Sequence, residues 1–199
     1  MTETVLATLY DKRSHFAGER ALHLFDDRIE VTRNGRVETR LPLSTITQIR
    51  MSVEPAGGGV QVLCRARAGD QSLALGSLTS VGPRRWANNA PAFKAFVTAL
   101  HRALASRGGE VEFVEGQPLA LRLVVSAVGL AMTVGALFAG HHFFIVRENP
   151  VLGFVAGPFL LIGLALIWAF RPVRPAPYDP EALVRRMEGT PGGEPERAE

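Results

Sequence analysis

The chain has 199 residues, 47% of them apolar and 21% charged, with a formal net charge of +3. That apolar content excludes a disordered chain, and the length suits one domain or a small domain with an attachment. The charge comes from 20 Arg and 2 Lys against 19 acidic residues, with no dense basic stripe, so nucleic acid is not an expected partner.

The first ten residues, Met1–Tyr10, have neither a basic start nor an apolar run, and no signal peptide is expected. Strand signals follow at Arg20–Phe25, Arg28–Arg33, Val37–Leu43, Ile46–Val53, Val60–Arg67 and Ser72–Leu78. Asp26-Asp27, Asn34-Gly35, Pro55–Gly59 and Gly69-Asp70 punctuate them as turns. Asn34-Gly35 invites a two-residue hairpin, but pairing Arg33 with Arg36 would set Val31 opposite Glu38 on one face. A three-residue loop, Arg33-Asn34-Gly35, instead pairs Val31 with Val37 and Ile29 with Thr39. It predicts a core face of Ile29, Val31, Val37, Thr39 and Leu41, with Gly35 left-handed in a bulge. Cys64 is the single cysteine, which excludes an intramolecular disulfide and reads as a small buried strand residue.

One helix signal stands out. Pro91 suits a first turn, and Phe93, Phe96, Val97, Leu100 and Leu104 recur at the helical period until Gly108-Gly109. Strands followed by a single amphipathic helix predict an α+β domain, a strongly bent sheet or partly open barrel with the helix over its open edge. Residues 110–117 alternate apolar and acidic side chains, as a short strand or an extended connector to Pro118.

Leu123–Val146 and Val151–Phe170 then run 24 and 20 residues without Asp, Glu, Lys or Arg. A bilayer core needs about 20 apolar helical residues, so each run predicts one membrane span. The spacer 147–150 can only close an antiparallel hairpin. Arg107, Arg122, Arg171, Arg174, Arg185 and Arg186 flank the spans on the domain side, which predicts a cytoplasmic domain and tail and an external turn. Ala127, Ala131, Gly135 and Ala139 form a smooth ridge on the first span, and Gly153 and Gly157 a GxxxG on the second. These are the expected packing surfaces of the hairpin, or a contact to another chain. His141 and His142 point about 100° apart and form no metal pair. The tail carries six prolines and reads as extended, its last dozen residues as disordered. Asp179-Pro180 opens a short helix near residues 180–187 whose Leu183, Val184 and Met187 make an apolar patch beside Arg185 and Arg186. That helix can dock on the domain, lie on the bilayer or meet a partner.

Leu24-Phe-Asp-Asp-Arg-Ile-Glu-Val31, Asn34-Gly35, Leu41-Pro-Leu-Ser-Thr-Ile-Thr-Gln-Ile-Arg-Met51 and the helix Ala92–Leu104 together resemble a bacterial pleckstrin-homology-like domain. With Arg84-Arg85-Trp86 ahead of the helix and two spans behind it, the chain is similar to bacterial membrane proteins of that type. The resemblance implies a bent antiparallel sheet of seven strands closed at one end by the C-terminal helix. The seventh strand is expected in Val5–Tyr10 or just before Arg20. Relatives that bind phosphoinositides use clustered basic residues at the first hairpin. Here Asp26, Asp27, Glu30 and Glu38 dilute Arg28, Arg33 and Arg36, so no such cradle is expected.

The layout expected is a domain over residues 1–117, helices over 118–146 and 151–171 joined by an external turn, and a tail over 172–199. No catalytic triad, phosphate loop, dinucleotide fingerprint or metal-ligand cluster can be assembled, so neither an enzyme nor a cofactor is expected. The expected function is a non-catalytic scaffold or adaptor in the cytoplasmic membrane, multi-pass with both termini inside, meeting a protein partner or a second copy. One alternative is a sensor of anionic lipid headgroups through Arg84, Arg85, Trp86, Arg185 and Arg186. In that reading Trp86 competes with a plain packing role under the sheet. The other alternative is an accessory subunit of a transport or envelope assembly, held through the Ala127–Ala139 ridge.

Overall fold

The computed structural model describes residues 4–13, 18–56, 59–83, 85–107 and 111–189. The Gly108-Gly109 helix stop, the tip of the Pro55–Gly59 turn, Arg84 and the tail from residue 190 lie outside the described residues. The chain forms two compact units, Met1–Gly116 with Ala176–Glu199, and Gln117–Pro175. The tail from Ala176 belongs to the first unit, which is the docked one of the arrangements expected for its short helix.

The first unit is α+β. Strands β1 (Ala7–Asp11), β2 (Arg20–Leu24), β3 (Arg28–Arg33) and β4 (Arg36–Pro42) form an antiparallel meander in chain order. Alternation drives it: Leu9, Leu22, Leu24, Ile29, Val31 and Leu41 are buried, and of the residues between them Glu30 is covered as well, beneath Arg28 and Arg40. The β3–β4 hairpin corrects the expected register. Asn34 and Gly35 both take left-handed backbone, with φ of 51° and 74°, and close a two-residue turn that pairs Arg33 with Arg36. The conflict over Val31 and Glu38 is resolved inside the strands. A register shift beyond Val31/Thr32 pairs Thr32 with Val37 and Val31 with Thr39, leaving Glu38 as the extra residue. Val37 is thereby 45% exposed instead of buried, and Leu41 takes the core position opposite Ile29.

A short 3-10 turn, Leu43–Thr45, leads to β5 (Gln48–Ala56), β6 (Gly59–Ala68) and β7 (Gln71–Gly76). Their inner ladder pairs Met51 with Cys64 and Cys64 with Leu75. Cys64 is fully buried, and burial pushes its thiol up to about 12, so it stays protonated and unreactive. The run expected to extend to Leu78 stops at Gly76. A further hairpin, β8 (Leu78–Gly82) and β9 (Arg85–Asn88), follows, and its Ser80 N–H donates to the carbonyl of Lys12, the residue after β1, at 2.8 Å.

Helix α1 (Ala90–Ala105) presents the expected stripe, with Phe93, Phe96, Val97, Leu100 and Leu104 all buried. They share one apolar cluster with Leu9, Leu22 and Ile29 of the first sheet and Ile49, Ala66 and Leu75 of the second. The helix thus closes the space between the two sheets. Strand β10 (Glu112–Glu115) lies parallel to β5, and β11 (Ala176–Pro177) pairs antiparallel with β10. Helix α4 (Pro180–Gly189) packs on α1, its Val184 buried and Leu183 and Met187 against the core cluster.

The second unit consists of α2 (Leu119–His141), one π-helical turn over His142–Val146, and α3 (Pro150–Ala169) packed against α2. Leu119–Val146 is long and apolar enough to cross a membrane, with a mean hydropathy of 2.1; the apolar stretch Gly153–Ala169 is shorter. The helices meet along Gly129, Thr133 and Ala136, all buried. A Cβ on Gly129 would stand 2.8 Å from the Gly163 carbonyl, and one on Gly163 2.7 Å from the Gly129 carbonyl, so the backbones touch there. This seam replaces the expected one. Ala127, Ala131 and Gly135 face outward and Ala139 is half-buried. A Cβ on Gly135 or Gly157 would meet nothing within 4 Å. Gly153 alone of the expected set is tightly packed, beneath the Phe144 ring. Alanine rows make smooth surfaces, but only facing glycines let two backbones touch.

Candidate functional site

The contact residues expected from sequence lie on two elements. Arg85 is exposed at the start of β9, and Trp86 is half-buried in that strand, opposite Ser80 rather than in a loop. Arg185 and Arg186 are exposed on α4. Arg185 faces Asp179 at 3.8 Å and Glu181 at 3.7 Å, weak pairs at an open surface. The arginines of the first hairpin are neutralised more firmly. Arg28 bonds Asp27 at 2.9 Å and Glu30 at 2.8 Å, Arg40 meets Glu30 at 2.9 Å, and Arg33 meets Glu38 at 3.3 Å. The hydrogen bond from Arg28 holds the Glu30 carboxyl below its ordinary range.

A clamp that the sequence did not reveal joins the tail to the domain. His101, 1% exposed on α1, has Nδ1 2.7 Å from the Val97 carbonyl and Nε2 2.7 Å from the Tyr178 hydroxyl. A carbonyl only accepts, so Nδ1 carries the proton, and Nε2 accepts from the Tyr178 O–H. Burial lowers the His101 pKa against the opposing Val97 bond, which keeps the ring neutral. Burial likewise raises Tyr178 well above the ordinary phenol value. The Phe113 ring of β10 completes the cluster, 5.5 Å from His101 and 5.8 Å from Tyr178.

Backbone pairing extends the clamp. Glu115 pairs with Ala176, Val114 with Pro177, and Tyr178 N–H donates to the Phe113 carbonyl at 3.1 Å. The Asp179 carboxylate accepts the Glu181 N–H at 2.9 Å and starts α4. The Thr98 hydroxyl meets the Met187 sulfur at 3.8 Å, and Arg102 pairs with Glu188. A cleft of 440 Å³ runs along the α1–α4 seam, with His101, Arg102, Pro180 and Arg185 on its walls. The available sequence signals were slight: a histidine inside the apolar stripe of α1, and a tyrosine directly ahead of a helix cap.

Chemically, this surface can hold a chain segment or a partner. Among the described residues, no group of three His, Cys, Asp or Glu side chains is placed to hold a metal. No family model matches the chain. No curated protein matches it either. Among solved structures, the chain is similar to the hSac2 domain from the human phosphoinositide phosphatase Sac2, at 15% identity and a TM-score of 0.38. The match covers 56% of this chain and 76% of that one, a likeness too remote to transfer anything.

Proposed function

We propose that the chain is a non-catalytic adaptor anchored in the cytoplasmic membrane. The α2–α3 hairpin spans the bilayer twice, and the first unit is a pleckstrin-homology-like domain held at the cytoplasmic face for a protein partner or a second copy. The β10–β11 pairing carries the reading. Glu115, where the chain leaves the first unit, is the direct neighbour of Ala176, where it returns. A pair of helices whose entry and exit strands are hydrogen-bonded together suits a hairpin with both ends on one side. The four-stranded β1–β4 meander and the β5–β7 meander, with α1 over the opening, support the domain assignment, although β10 and β11 extend the second sheet to five strands and β8–β9 form a further pair beyond the expected seven. Tethering would raise the effective concentration of a weak docking site at the membrane surface.

Co-purification of the tagged full chain from its native host in mild detergent tests this. Gly135→Leu fills a groove that Gly135 and Ala139 of α2 line with Val155 and Phe159 of α3, beside the Gly129–Gly163 contact. A stoichiometric partner retained by that variant and lost on Val184→Asp, which disrupts the α1–α4 face, is the expected result. A partner lost on Gly135→Leu would make the chain an accessory subunit held through its helices. No partner and no second copy would sink the adaptor reading.

A further inference from the structure

The outer face of the second sheet gathers arginines. Ile49, Ala66 and Leu73 of β5, β6 and β7 point into the core, so the residues alternating with them lie on the opposite face, where Ser52, Gln61 and Leu63 are buried and the arginines border them. Register places Arg50 opposite Arg65, Arg65 opposite Ala74, and Arg67 opposite Gln48 and Ser72. Two more arginines reach the same strands from the first sheet. Arg20 Nη2 donates to the Ala74 carbonyl at 2.6 Å. Arg13 lies across Gly76, its Nη1 3.0 Å from where a Cβ there would stand, with Gln61 Oε1 at 3.2 Å. Arg65 is within electrostatic reach of both Arg13 and Arg50, and Arg50 of Arg67.

Counter-charges are fewer. Asp11 takes Arg20 at 2.7 Å and Arg13 at 4.0 Å, Glu54 takes Arg65 at 2.8 Å, and Glu112 faces Arg50 while bonded to Gln48. Among the described residues, three carboxylates therefore face these five guanidinium groups. Three guanidinium nitrogens here, Arg13 Nη1, Arg20 Nε and Arg50 Nη1, are buried and have no hydrogen-bond acceptor among the described residues, and Asp11 Oδ1 has no donor among them. A buried donor left unmade is destabilising, more so on a charged group. In the first hairpin Arg28 and Arg40 each bond a carboxylate within 3 Å, although Arg33 Nε, 3.3 Å from Glu38, is also buried without a hydrogen bond among the described residues. An oxyanion would relieve both the surplus charge and the unmade bonds. Arginine's planar fork matches a phosphate, and the side chains stay charged although burial lowers Arg13 and Arg50 from the ordinary value.

We propose that this face binds a phosphate monoester, with Arg65 at its centre and Arg13 and Arg50 as flanking donors. The site is separate from the first hairpin and from the α1–α4 cleft, and it stands whether or not the chain spans a membrane. The ligand is either a free phosphate compound or a lipid headgroup carrying the same group.

The full chain, purified in uncharged detergent, is titrated by calorimetry with inorganic phosphate and with short-chain phosphatidic acid, at ionic strength held constant with chloride. Saturable binding is expected, weakened about tenfold or more by Arg65→Gln and less by Arg13→Gln, from the loss of one charged hydrogen bond each. Glu54→Gln frees Arg65 from its carboxylate and is expected to bind more tightly, an effect that a purely structural ion pair would not produce. Equal binding of both probes indicates a free phosphate compound as the natural ligand, and tighter binding of phosphatidic acid indicates a headgroup. No binding of either probe overturns the site, as does binding that folded Arg65→Gln and Arg13→Gln leave unchanged. If Arg65→Gln does not fold, Glu54→Gln decides: tighter binding supports the site, and unchanged binding overturns it.

Discussion

The two units of this chain are packed in opposite senses. In the first, large apolar side chains are inside: Leu9, Leu22, Ile29, Phe96 and Leu100 are each 0% exposed. In the second, they are outside. Phe138 and Phe154 are 74% and 73% exposed, Leu161 69%, while the seam is made of Gly129, Thr133, Ala136 and Gly163. The first unit follows the rule for water, where burying large apolar area is the main gain. The second has the packing that the proposed membrane hairpin would need, since in lipid leucine gains nothing by leaving its surroundings and close backbone contact holds helices together. One chain therefore carries two packing codes, and the proposed hairpin rests on the second.

Substitutions that treat the units differently sharpen this comparison. Phe96→Ala empties the centre of the first core and is expected to cost about 3–5 kcal/mol. Phe138→Ala, the same change on an outward face, is expected to move stability by less than about 0.5 kcal/mol in detergent. Denaturant unfolding of the full chain measures both, and equal costs would erase the distinction. Gly129→Ala forces a Cβ against the facing backbone and should destabilise the helix pair by about 1–3 kcal/mol. Gly135→Ala, with open space around it, should be neutral or slightly favourable. A reversed order would return the seam to the Ala127–Ala139 ridge.

Smaller effects belong to the clamp. Tyr178→Phe leaves the buried Nε2 of His101 unpaired and is expected to cost about 1–2 kcal/mol, read as faster hydrogen exchange in α4 with little change in β3. The pH effect follows from His101, whose pKa is lowered by burial below the ordinary 6.5. The unfolded chain then binds the proton more readily than the folded one. Stability is full above about pH 6.5 and falls as pH drops through and below that value. His101→Gln should abolish that slope, and an unaltered slope would assign it to another group.

The α1 stripe was legible because five large apolar residues at helical spacing admit one face and one structure. Strands β2–β7 were legible from their alternation, with β3 matched at both ends and the other ends moved by at most three residues. The β8–β9 hairpin was not, since apart from Leu78 only Val81 and Trp86 supply large apolar side chains and neither marks a period. The β3–β4 register turned on a shift at Val31/Thr32, which is decided by Ile29 meeting Leu41 across the sheet rather than by the turn residues. The clamp joins residues 77 positions apart, His101 and Tyr178, and no local pattern announces such a pair. The arginine face was hidden for a similar reason: Arg13, Arg20, Arg50 and Arg65 come together only through strand register and the meeting of two sheets. In the helical hairpin, small residues at spacing four were visible, but the choice among rows depended on which glycines face each other across the two helices.

The central claim is that a hairpin crosses the membrane and returns to the sheet it left. Single cysteines at Arg147 and Glu181, in a chain whose native Cys64 is buried, test it with a membrane-impermeant maleimide on intact cells. The account predicts labelling of Arg147→Cys from outside, and of Glu181→Cys only after permeabilisation. Labelling of both from outside, or of neither until the cells are opened, would contradict it.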